Sequence, residues 1–181
     1  MKSGIVLLAD LTGPVADRIH EIQREFDPRM AAELPPHVTL TGSSGIGPIP
    51  VTTPLEDIRV ALEPVARETA PISVRFQPPH KFMQSLVVVL PIDPYGPIRV
   101  LHDRIKASGL AFESPRFAFT PHCTLSFYPE LPREKLRKLL AMRIDEPVTI
   151  DRIAAYKAVT ITRAENVLEL PLTGAPTTGL S

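Results

Sequence analysis

Two tetrapeptides of one form lie far apart in this chain, His37-Val38-Thr39-Leu40 and His122-Cys123-Thr124-Leu125, and each follows a proline, Pro36 and Pro121. Both sit in short β-prone runs. On a strand, successive side chains point to opposite faces. His37 and Thr39 therefore share one face while Val38 takes the other, and the same holds for His122, Thr124 and Cys123. A fold that brings the two strands together would gather two imidazoles and two hydroxyls, an inventory suited to proton transfer around a phosphate. The chain has five histidines in 181 residues, and shuffling its composition would give two such strings on the order of once in a thousand trials. The pair is therefore a signal where one copy would be weak.

The surrounding pattern predicts strands over residues 4–11, 37–42, 72–76, 86–92, 122–128, 148–159 and 166–172. Several are continuous apolar runs, as expected of strands covered on at least one face. Helices are predicted between them. Val15, Ile19, Ile22 and Phe26 recur at helical spacing over 14–26, and Leu55, Ile58, Leu62 and Val65 do so over 54–68. The second helix opens with Thr53 as cap, Pro54 in the first turn and Glu56 placed to close a capping box. A third helix is predicted over 97–108, ending at Gly109, and a fourth over 133–143. Residues 173–181 read as a flexible tail.

The order of these elements repeats. Each half reads strand, helix, motif strand, helix, strand, and the second half adds one more strand. The expected fold is therefore α+β, with two duplicated β-α-β-α-β lobes related by a pseudo-two-fold axis around a central cleft. It forms a single bilobal domain over 1–172, with lobes of roughly 1–80 and 81–172 and room for strands exchanged between them. A hydrophobic content of 44% supplies a core for this length.

Zero formal net charge leaves no whole-chain basic field to hold long nucleic acid, although a small nucleotide or an RNA end needs only a local patch. One cysteine excludes an internal disulfide framework, which fits a reducing cytoplasm. The apolar run 5–9 is cut by Asp10 and is too short for a signal peptide or a membrane span. The twenty-one prolines sit mostly at element edges and read as punctuation.

The motifs HVTL and HCTL, 85 residues apart, and the order of elements over about 4–172 together resemble the two-histidine (2H) phosphoesterase superfamily. That superfamily includes 2′-5′ RNA ligases, cyclic nucleotide phosphodiesterases and RNA-processing phosphodiesterases. The stretch Phe76-Gln77-Pro78-Pro79-His80-Lys81-Phe82, followed by the apolar run 86–90, is also similar to a linker and central strand of that family. The resemblance implies a bilobal α+β fold and acid/base catalysis on a phosphodiester without metal or cofactor. His37 and His122 would be the catalytic pair, in either order, and Thr39 and Thr124 would bind the phosphate. Its implied substrate is a 2′,3′-cyclic phosphate or a 2′-5′ linkage on an RNA end or small nucleotide. The implied protein is cytoplasmic and monomeric, with no membrane partner. The alternative is an RNA-end or nucleotide binding protein with negligible turnover.

Other residues are read beside these. Cys123 should pack as a small apolar group. Zinc sites commonly use His-x₃₋₅-His or nearby Cys or carboxylate ligands, and the spacing here does not match. For stacking a base or ribose, Phe82, Phe119, Phe127 and Tyr128 flank the motif regions. If its strand stays regular, Tyr128 shares the face of His122 and binds substrate, whereas Phe127 belongs to the core. Arg75, Lys81 and Arg116 are candidates for a second phosphate or the RNA backbone. His20 and His102 are expected at the surface or its boundary, and His80 at the cleft border without a catalytic role.

Overall fold

The computed structural model describes residues 4–82, 85–127, 131–158 and 164–176. Among these, the chain runs through β1 (Gly4–Asp10), α1 (Pro14–Phe26), α2 (Pro28–Glu33), β2 (His37–Thr39), β3 (Ile49–Pro50), α3 (Leu55–Glu68), β4 (Ile72–Val74), β5 (His80–Lys81) and β6 (Val88–Pro91). It continues through α4 (Pro97–Lys106), β7 (His122–Ser126), α5 (Arg133–Ala141), β8 (Val148–Ile150), β9 (Arg152–Ala158) and β10 (Ala164–Pro171).

One eight-stranded sheet has the order β10-β9-β1-β2-β7-β6-β5, with β3 attached to β1, and β4 pairs with β8 in a separate two-stranded sheet. The motif strands β2 and β7 are neighbours at its centre. Each is flanked by the first strand of its own half, β1 beside β2 and β6 beside β7. The third strands of the two halves, β4 and β8, pair with each other. Outward from the β2–β7 pair, each motif strand is thus followed by the first strand of its own half, and beyond these the two sides differ, with β9 and β10 on one and β5 on the other.

The core lies against one face of the large sheet. Ile5, Leu7 and Ala9 of β1, Val38 of β2, Cys123 and Leu125 of β7, and Val88 and Leu90 of β6 pack there with buried residues of all the long helices and of the small sheet. The helical stripes explain this docking. α1 buries Ala16, Ile19, Ile22 and Phe26, α3 buries Ile58, Leu62, Val65 and Ala66, and α4 buries Ile98, Leu101 and Ile105. Each set recurs every three or four residues, one face of a helix.

Several local expectations change. The run 148–159 is two strands, broken at Asp151, and they belong to different sheets. α3 starts at Leu55 with Pro54 in extended conformation and no side-chain cap; Glu56 instead pairs with Arg59. His102 is not a boundary residue. It is 3% exposed and stacks on Phe119 at a centroid separation of 3.8 Å, with Asp103 on Nδ1 at 2.9 Å. Phe119 is accordingly core and not a substrate platform. Gly45, at φ 71°, lies against this pair so closely that a Cβ would fall 2.3 Å from His102 Nε2.

Where β2 ends, α1 and α2 take over the backbone of β7. The Gln23 amide donates to the Thr124 carbonyl at 2.8 Å. The Asp27 carboxylate accepts from the backbone N–H of Phe127 at 2.8 Å and from that of Met30 at 3.1 Å, the latter capping α2. Both side chains are buried, so removing either leaves β7 backbone groups without these partners. Asp27→Ala is expected to cost about 2–4 kcal/mol, and Gln23→Leu about 1–3 kcal/mol, read as losses of unfolding free energy in urea.

Candidate active site

β2 and β7 run antiparallel with Val38 opposite Cys123. Extending that register by one residue sets His37 across from Thr124 and Thr39 across from His122. Val38 and Cys123 are 0% exposed and belong to the core, whereas His37, Thr39, His122 and Thr124 are half-buried. The alternation expected from the sequence thus holds, and the four polar side chains share the face away from the helices. Burial pushes the Cys123 thiol up to about 12, so it is inert, as its apolar reading required.

The two imidazoles are held alike. His37 Nδ1 lies 2.7 Å from the carbonyl of Pro35, and His122 Nδ1 lies 2.6 Å from the carbonyl of Thr120. A carbonyl only accepts, so Nδ1 carries hydrogen in both rings and Nε2 is left for chemistry. The carbonyl comes from two residues before each histidine, and the residue between is proline. Each proline fixes φ, and its own carbonyl accepts from the backbone just beyond the adjacent strand, Leu11 N at 2.8 Å and Ile92 N at 3.0 Å. The prolines are thus part of the repeated unit.

Burial pushes the proton affinity of both histidines below the ordinary value. For His37, the Pro35 carbonyl and the charge of Asp10 act in the opposite sense. For His122, the Thr120 carbonyl opposes burial, and the neighbouring His37 and His80 reinforce it. His80 is thus close enough to act on the site, as its place at the cleft border suggested. It meets Phe82 edge-on at 5.7 Å, and Phe82 in turn meets His122 edge-on at 5.1 Å.

Phe127 is a correction. It is 58% exposed and not core. The β6–β7 register passes from Val89 opposite Thr124 to Val88 opposite Ser126, so Leu125 is an extra residue in β7. Such a bulge shifts the phase of every later side chain. The regularity on which the Tyr128 expectation rested therefore fails at Leu125, and Tyr128 itself lies outside the described residues. Among the cation candidates, Arg75 is engaged by the Asp145 carbonyl at 2.7 Å. Lys81 is opposite the core residue Val88, which puts it on the other face from the site, and Arg116 is exposed.

Sequence reasoning missed Asp10 except as the residue that interrupts an apolar run. It pairs directly with His37 across the β1–β2 ladder, is 8% exposed, and accepts from the Tyr156 hydroxyl at 2.8 Å. A buried carboxylate at the end of an otherwise apolar strand was the available signal. Among the described residues, no three His, Cys, Asp or Glu side chains cluster so as to hold a metal ion, and no helix is long and apolar enough to cross a membrane.

No curated protein matches the chain by sequence. The Thermus thermophilus protein TT0787 superposes with a TM-score of 0.64 at 17% identity, covering 94% of this chain and 98% of its own. Escherichia coli LigT in apo form gives 0.59 at 16% identity, again covering 94% and 98%. LigT complexed with 3′-AMP gives 0.58 at 14% identity, covering 96% and 99%. These likenesses establish the fold, which is mixed α and β along nearly the whole chain. Residues 12–160, a span that includes both histidine motifs, match the sequence profile of the 2′-5′ RNA ligase superfamily, and the chain belongs to that superfamily of two-histidine phosphoesterases.

Proposed function

We propose that the protein is a phosphoesterase that opens a 2′,3′-cyclic phosphate, or cleaves a 2′-5′ phosphodiester, on an RNA end or small nucleotide, with His37 and His122 as its acid/base pair and without a metal. The observation that carries this reading is the pair of matched imidazoles on adjacent strands, each with Nδ1 committed to a carbonyl and each accompanied by a threonine on the same face. Membership of the superfamily supports the class of reaction. Escherichia coli LigT has been crystallised with 3′-AMP, NADP+ and ATP, which supports a nucleotide as the ligand class.

The chemistry follows from the side chains. One neutral histidine accepts a proton from water at Nε2 while the water oxygen bonds to phosphorus. The other, protonated, gives its Nε2 proton to the ribose oxygen as the P–O bond to it breaks. The Thr39 and Thr124 hydroxyls donate to the two non-bridging oxygens, where charge collects. No covalent intermediate with the protein forms. Each turnover leaves the histidines with exchanged protonation, and exchange with solvent resets them. The reverse sequence joins a ribose hydroxyl to a cyclic phosphate.

This scheme needs one imidazole protonated and one neutral. Burial lowers the proton affinity of both, so the singly protonated pair is lost as pH rises. We expect kcat/KM to peak below the ordinary histidine value of 6.5 and to fall steadily above it, as a pH profile would show. A maximum above about pH 7.5 would contradict it. The substrate class is tested by offering the four nucleoside 2′,3′-cyclic phosphates beside 2′-5′ linked dinucleotides. Turnover of either supports the reading, and turnover of neither contradicts it.

A further inference from the structure

The two halves of the site are built alike except at one position. Each histidine follows a proline, each holds its Nδ1 on the carbonyl two residues back, and each pairs with the last residue of the flanking strand. That last residue is Asp10 beside His37 and Pro91 beside His122. A carboxylate thus stands at one of two equivalent places, and an apolar ring at the other. The carboxylate is held in place. Tyr156 on β9 donates to Asp10 Oδ2 at 2.8 Å, whereas Oδ1 is buried with no hydrogen-bond partner among the described residues. Leu8, Ala154 and Tyr156 form a small apolar cluster on this face of the sheet, which keeps the local dielectric low and strengthens the field of any charge there.

We propose that Asp10, fixed by the Tyr156 hydroxyl, is a positioning residue that breaks the symmetry of the histidine pair, so that His37 carries the proton in the resting site and His122 does not. The inference rests on the two-histidine reading of the site. The charged and titratable groups involved all lie on this face of the sheet. His37 is faced by Asp10 on β1 and by His122 on β7. Burial pushes the proton affinity of Asp10 above the ordinary carboxylate value; the Tyr156 hydroxyl, His37 and Arg152 of β9 oppose it by favouring the charged form, and Glu169 of β10 reinforces it. His122 is acted on by His37 and His80, which are cationic when charged, and by no carboxylate among the described residues. In this arrangement a proton entering the pair settles beside the carboxylate, and the free Nε2 lone pair is that of His122.

The test is an NMR titration of the imidazoles in the full chain without substrate. In Asp10→Asn, the proton affinity of His37 is expected to fall by about tenfold, a shift on the order of one pKa unit, while that of His122 rises slightly because its neighbour is less often charged. Tyr156→Phe leaves the carboxylate in place but releases it, and should lower the affinity of His37 in the same direction by less. This variant decides the matter should Asp10→Asn fail to fold. Equal movement of both histidines, or none at His37 in a folded variant, would overturn the proposal. Because the titration needs no turnover, a failure to hydrolyse any phosphodiester would sink the proposed reaction without moving this result.

Discussion

His37→Gln and His122→Gln are each expected to lower kcat/KM by on the order of a thousandfold, and the double variant by little more than either alone. Glutamine keeps approximate size and hydrogen-bonding capacity but cannot take up or release a proton near neutral pH. In the proposed reaction each histidine performs one half of a coupled transfer, so losing one would idle the other, and the effects would not add. The folded state should tolerate both changes, since the two rings are half-buried on the open face and not part of the main core. Steady-state kinetics on whichever phosphodiester proves to be turned over checks this. A single variant with wild-type kcat/KM would remove that histidine from the mechanism.

Thr39→Val and Thr124→Val come next in size. Valine matches threonine in shape and suits a strand, so the change deletes a hydroxyl with little else. If the hydroxyls donate to phosphate oxygens as charge builds on them, each variant should lose about a hundredfold in kcat with a smaller change in KM. The two threonines occupy matched places, opposite Leu8 in the β1 ladder and opposite Val89 in the β6 ladder. Their losses should therefore be similar. A large effect at one and none at the other would mean that only one non-bridging oxygen is held.

The site was legible because its two strands obey local rules. Alternation within three residues placed His37 and Thr39 together and sent Val38 inward, and no long-range information was required. The same is true of the helical stripes of α1, α3 and α4. α2 was legible too but went unread: Asp27-Pro28 is an N-cap residue followed by proline at the first helical position. What could not be read depends on pairing between distant segments. The split at Asp151 sends β8 to β4 and β9 to β1, partners chosen by register and not by the apolar run itself. The bulge at Leu125 exists only relative to β6, and it reverses the facing of Phe127. His102 is buried because Phe119, seventeen places on in sequence, supplies its stacking surface. Asp10 becomes a feature of the site only when β1 lies beside β2 in the register that sets it against His37.

If two histidines carry out phosphodiester chemistry here by proton transfer alone, turnover needs both imidazoles and no metal ion. The measurement that tests it most directly is turnover of a nucleoside 2′,3′-cyclic phosphate by the wild-type protein in excess EDTA, beside His37→Gln and His122→Gln under the same conditions. Undiminished activity in the wild type and loss in both variants is the expected result. Activity that EDTA abolishes, or that survives the loss of both histidines, would contradict it.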